Sequence, residues 1–236
     1  MQTPTDEQGR HERVRLLIAI GVFSVLLWQT RIGAFALYPF TILATWFHEM
    51  GHGLAAIAAG AQFERLIIYS NGSGVAQLLL PADRFRVTDA IISAFGPLGP
   101  AIAGAVLIVS SRNERATRIA LAVLGAALVA STLVWVRSPT GWLVLPPLGA
   151  ITAGIAWRGS GPVRQFAIQF LGVQAAISVW RQFGYLFSDA GVGAGQMSDT
   201  AAIAQVLFLP YWIWGAIISA ATVALLWWSF RIAFRR

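Results

Sequence analysis

Apolar positions gather into seven long stretches, at about 14–30, 34–60, 88–110, 116–136, 141–157, 163–187 and 203–230. Several reach the roughly 18 predominantly apolar residues that a helix needs to cross the hydrocarbon layer. Backbone amides and carbonyls find no water there, so these stretches predict helices, which satisfy those groups internally. Residues 1–13 are polar, and no convincing small-residue cleavage site follows, so Val14–Thr30 reads as a retained helix rather than a signal peptide. The fifth stretch is short and contains Pro146–Pro147, which predicts a re-entrant or broken element. The expected architecture is an all-α polytopic membrane protein of six or seven transmembrane helices. A polar N-terminal tail over 1–13 precedes a single membrane-embedded domain over 14–236.

The pattern changes between the second and third stretches. Phe63–Pro81 holds two short β-prone runs, Leu66–Tyr69 and Val75–Leu80, on either side of Asn71-Gly72-Ser73-Gly74. Apolar runs around such a turn signal predict a β-hairpin. Unpaired strand edges cannot face lipid, so the hairpin is expected at the membrane interface or against protein, where it can offer an edge to another extended chain.

Composition strengthens the membrane reading. Of 236 residues, 57% are hydrophobic and 11% charged, and the mean hydropathy is +0.66. A soluble domain of this size has too little interior for that much apolar side chain. The net charge of +7 comes from arginine alone, since lysine is absent. These arginines are scattered over short loops and both ends, the pattern of helix ends meeting anionic lipid, and no nucleic-acid partner is expected. Their distribution favours neither orientation across the bilayer. Exclusive use of arginine suggests a GC-rich bacterial source and hence a multi-pass location in a bacterial cell membrane. Cysteine is absent, so thiolate metal sites and disulfides are excluded.

Within the second stretch stand His48, Glu49 and His52. Histidines four residues apart project from one helix face and can grip one metal ion, and the intervening glutamate can move protons to and from a water beside it. A glutamate at the centre of a membrane helix costs about 2–3 kcal/mol on insertion scales, which argues for a functional role. Catalytic zinc usually takes three protein ligands. The remaining histidine, His11, lies in the polar tail, so the third ligand is expected to be a carboxylate. Glu64, Asp83 and Glu114 have arginine neighbours in loops, and Asp89 reads as a first-turn residue of the third helix. Asp199 and Asp189 flank the polar stretch Ala190–Ser198; Asp199, at a helix start, is the leading candidate and Asp189 the reserve. Gly191–Gly195 lacks the preceding strand of a nucleotide-binding loop and reads as a flexible segment.

These residues together resemble the site-2-protease class of intramembrane zinc metalloproteases, in particular its small bacterial branch without a PDZ domain. The likeness rests on His48-Glu49-Met50-Gly51-His52 in an apolar helix, the hairpin after it, and Ala94-Phe95-Gly96-Pro97-Leu98-Gly99-Pro100, which is similar to the family's GPL segment. Ser198-Asp199 is similar to the position from which that branch presents its third ligand. The better-known members have Gly where this chain has Thr200, and an Asn shortly after the GPL segment where it has Pro100. The resemblance implies zinc held by His48, His52 and Asp199, with Glu49 as general acid and base. It also implies a transmembrane protein or peptide as substrate, and selection by the membrane domain itself or by a separate regulatory membrane partner. The competing expectation is a non-proteolytic protein, either a binder of client helices or a metal transporter.

Overall fold

The computed structural model describes residues 4–191 and 196–234. In chain order these form α1 (Pro4–Trp28), α2 (Arg31–Ala36), α3 (Tyr38–Ala58), β1 (Gln62–Ile68), β2 (Gly74–Leu79), α4 (Arg86–Ser110), α5 (Glu114–Val134), α6 (Pro139–Arg158), α7 (Gly161–Arg181), α8 (Phe183–Leu186), α9 (Asp199–Val206) and α10 (Tyr211–Phe234). Each apolar stretch holds one long helix, namely α1, α3, α4, α5, α6, α7 and α10. Among the described residues, α4, α5, α6 and Tyr211–Ala233 of α10 are long and apolar enough to cross a membrane by length and composition.

The structure differs from expectation at three breaks. The segment expected as a polar tail is already helical from Pro4, a residue whose fixed φ and missing amide suit a first helical turn. Its side chains, that of His11 included, lie outside those described. The fifth stretch is one continuous helix despite Pro146 and Pro147. Neighbouring helices hold such a segment in shape, and α6 packs on α5 where Gly125 and Gly149 bring the two backbones together. The last stretch is instead divided: α9 ends at Val206 and α10 begins after Pro210, whose ring cannot continue a helix.

α3 and α4 run antiparallel in close contact. A Cβ on Gly51 would collide with the Phe95 carbonyl oxygen, and one on Gly99 with that of Phe47. Small residues on both sides let the backbones meet, as membrane helices require when lipid removes the hydrophobic drive to associate.

The hairpin lies against protein, along α3. β1 and β2 pair antiparallel, with Leu66 opposite Ala76 and a bulge between Phe63 and Arg65. Gly72 adopts φ +87° in the turn, and the Asn71 side chain accepts the Ser73 amide at 3.0 Å. The far edge of β1 is closed by the α5–α6 connection. Leu66 donates to the Trp135 carbonyl at 2.8 Å, Arg137 donates to the Leu66 carbonyl at 2.9 Å, and Ile68 donates to Ser138 Oγ at 3.0 Å. Two side chains pin the turn: Tyr38 donates to the Ser70 carbonyl at 2.9 Å and Thr45 to the Gly72 carbonyl at 2.5 Å. β2 is therefore the outer strand of the two-stranded sheet.

Two glycines of α6 separate contact from propensity. A Cβ on Gly149 would lie 2.9 Å from the Gly125 carbonyl oxygen, whereas one on Gly154 meets nothing within 4 Å. Gly149→Ala is expected to cost about 1–3 kcal/mol through overpacking, and Gly154→Ala to be neutral or stabilising. Thermal unfolding in detergent should show a lower Tm for the first substitution only.

Candidate metal centre

Midway along α3, His48 and His52 stand one turn apart, and Asp199 is the first residue of α9. The fold brings these three side chains to one point. His48 Nε2 lies 3.1 Å from Asp199 Oδ2, His52 Nε2 lies 3.3 Å from Asp199 Oδ1, and the two Nε2 atoms are 3.2 Å apart. Among the described residues, this is the group of His and acidic side chains with the spacing to hold a metal ion.

The outer nitrogens decide what the inner ones can do. His52 Nδ1 is 2.8 Å from the Ile92 carbonyl, and His48 Nδ1 is 3.2 Å from Gln182 Oε1. Both oxygens only accept, so each neutral imidazole carries its proton on Nδ1 and its lone pair on Nε2. Two lone pairs and a carboxylate then converge with no proton between them, and Asp199 Oδ2 is buried without a hydrogen-bond partner. Ligands about 2.0–2.1 Å from one tetrahedral zinc stand about 3.3 Å from each other, which the observed spacing fits. The donor set therefore suits a zinc ion.

Local structure explains why Asp199 is available. Ser198 is the N-cap of α9: its Oγ accepts the Ala201 amide at 3.2 Å and itself donates to the Ser188 carbonyl at 2.5 Å. With capping done by its neighbour, the Asp199 carboxylate is free to face the histidines. The Tyr185 hydroxyl accepts the Asp199 amide at 3.1 Å and fixes the start of the helix. The other acids are elsewhere. Asp189 meets Ser198 only through its backbone carbonyl and its side chain is exposed, as are Glu64 and Asp83. Glu114 pairs with Arg164 at 2.6 Å. Asp89 does line the cleft, but Arg84 grips it at 2.5 and 3.1 Å, and this hydrogen bonding raises the Arg84 pKa.

Glu49 is buried beside this group, under β2. A Cβ on Gly74 would come within 2.8 Å of its Cγ and 2.9 Å of its Oε1. Both groups line a cleft of about 460 Å³ between β2, α3, the start of α4 and the α7–α9 turn. Glu49 approaches β2 from the free side, so the outward amides and carbonyls are those of alternate residues Gly74, Ala76 and Leu78.

A family model described as Peptidase M50B-like matches residues 17–229. The chain belongs to the M50B-like peptidase family. No curated protein and no solved structure matches it. The M50B-like family is that of the site-2 proteases, so the chain is a membrane metallopeptidase by family, and zinc is the metal typical of that family.

In this M50B-like chain, several site residues carry no recognisable spacing signal. Gln182, the acceptor for His48, and Tyr185 sit at the end of an apolar stretch, more than 130 residues from His48. Gly96 belongs to the Ala94–Pro100 segment that is similar to the family's GPL segment. Here its missing side chain makes room for the His52 imidazole, with which a Cβ would collide. The flexible segment expected at Ala190–Ser198 lies in part outside the described residues, at 192–195. Partners that orient a ligating imidazole typically contribute about 10–100-fold to metal affinity. Gln182→Ala should therefore weaken zinc binding by roughly that factor, and Asp189→Asn should leave it unchanged. Competition with a chromophoric chelator would measure both.

Proposed function

We propose that this M50B-like protein is an intramembrane zinc metallopeptidase, cleaving peptide bonds of membrane-protein substrates within or near the bilayer. His48, His52 and Asp199 are the zinc ligands, and Glu49 is the general base and acid. The observation that carries this reading is the meeting of three proton-free acceptor atoms beside a buried glutamate in one cleft. Zinc, when bound there, supplies Lewis acidity to polarise the scissile carbonyl and acidify water. The chain's own groups do the rest. Glu49, seated against Gly74 of β2, takes the proton of the attacking water and then delivers it to the departing amine. Tyr185 and Ser198 hold Asp199 in place, and Gln182 and the Ile92 carbonyl hold the imidazoles.

A substrate helix must open before its backbone can reach the centre, because helical amides and carbonyls are already paired. The outward groups of Gly74, Ala76 and Leu78 can receive the opened segment as an added strand. Six or seven helices cross the bilayer in this reading, and residues 14–236 form one membrane-embedded domain in a bacterial cell membrane. Substrate choice falls, in this reading, to the membrane domain itself or to a separate membrane partner.

Glu49→Gln should retain one zinc per chain and lower cleavage of a transmembrane peptide by roughly 10²–10⁴-fold, the usual contribution of a general base. His48→Ala should lose the metal as well. Undiminished cleavage by Glu49→Gln would defeat the assignment. Strand addition makes a separate demand: N-methylating successive substrate amides should weaken binding at every second position, because only alternate amides face β2.

A further inference from the structure

One charged side chain on the cleft wall takes no part in the chemistry above. Arg181, the last residue of α7, lines the cleft beside Gln182. Its guanidinium stacks on the Trp28 ring, 3.9 Å from the ring centre, and Nη1 donates to Thr41 Oγ1 at 3.2 Å. Arg84 and Arg164 pair with Asp89 and Glu114, whereas among the described residues no carboxylate pairs with Arg181. The stack and the Thr41 bond hold the guanidinium plane while using few of its five donors.

Its place in the cleft is defined. Thr41 marks the turn end of the hairpin, since a Cβ on Gly72 would lie 2.9 Å from Thr41 Cγ2. Asp89 and Leu80 line the opposite end, where Arg84 balances the acid. The cleft thus has an uncompensated cation at its turn end and a balanced pair at the other. An oriented guanidinium with unused donors is a receptor for a carboxylate, which it can grip through two hydrogen bonds.

We propose that Arg181 is a specificity subsite that binds a Glu or Asp side chain of the peptide substrate, on the flank lying toward the Gly72 turn. Glu49 sits against Gly74, and an added strand shares the rise of β2, so the acidic residue falls about two to four positions from the scissile bond. A lipid phosphate is the other anion a membrane offers. Arg181 shares its cleft with Glu49 and Asp199, which favours the peptide. The inference rests on the peptidase reading.

The test uses full-length, zinc-loaded Glu49→Gln protein in nanodiscs of zwitterionic lipid, with labelled transmembrane peptides in which one Glu is walked along the sequence. Each has a Gln counterpart, and binding is followed by fluorescence anisotropy. At one position Glu should bind roughly tenfold more tightly than Gln, the scale of one charge-assisted contact. Adding Arg181→Gln should erase that preference, and Arg181→Glu should transfer it to a Lys peptide, with zinc content unchanged in both. In the wild-type enzyme the preference should appear in KM rather than kcat. Equal affinity for Glu and Gln at every position overturns the subsite, whether or not the wild type cleaves. A uniform loss for both peptide sets in Arg181→Gln, or dependence on anionic lipid, also overturns it, by assigning the guanidinium to the fold or to phosphate. Charge-selective binding without wild-type cleavage would sink the peptidase reading and leave the subsite standing.

Discussion

Two imidazoles and a carboxylate are held with their facing atoms about 3.2 Å apart in the interior of a largely apolar protein. Two imidazoles with their protons committed outward and one carboxylate repel at that spacing unless a cation joins them. Much of the structure serves to hold them there. α3 supplies both imidazoles from one face, α4 comes close enough through Gly96 to seat one ring and accept its proton-bearing nitrogen, and α7 ends where Gln182 reaches the other. The α8–α9 turn returns the chain so that a capped helix start can present Asp199.

On the proposed peptidase reading the same cleft has to admit a backbone, and the hairpin reconciles that need with membrane residence. Exposed strand edges are untenable in lipid, so β1 is closed off by Trp135–Arg137 and the turn is tied to α3 by Tyr38 and Thr45. β2 remains as the outer strand, and its free side faces Glu49 rather than lipid. The absence of a side chain at Gly74 is what lets the carboxylate sit against the strand. The buried glutamate and the strand edge are therefore built as one unit, in contact at Gly74.

Much of this architecture is legible in the chain. The seven apolar stretches each contain a long helix, because the apolar run length that suits a bilayer depends on composition and little on neighbours. The hairpin is legible from Asn71-Gly72 between β-prone runs, since the left-handed turn conformation is a local demand that Gly72 meets. Helix ends are less so. Pro146–Pro147 reads as a break and is not one, because the packing of α6 on α5 is a tertiary matter, whereas the break before α10 was hidden inside a long apolar run.

By itself the sequence determined the membrane class, the hairpin and the pairing of His48 and His52 on one face with Glu49 between them. These depend on composition and on the 3.6-residue turn, which are properties of a short window. It could only rank carboxylates for the third position. The approach of Asp199 was decided by tertiary structure, because a contact across about 150 residues has no local signature. The same holds for Gln182 behind His48, Gly96 beside His52 and Arg181 at the end of the cleft. Each acquires its meaning only from what the packing of separate helices sets against it.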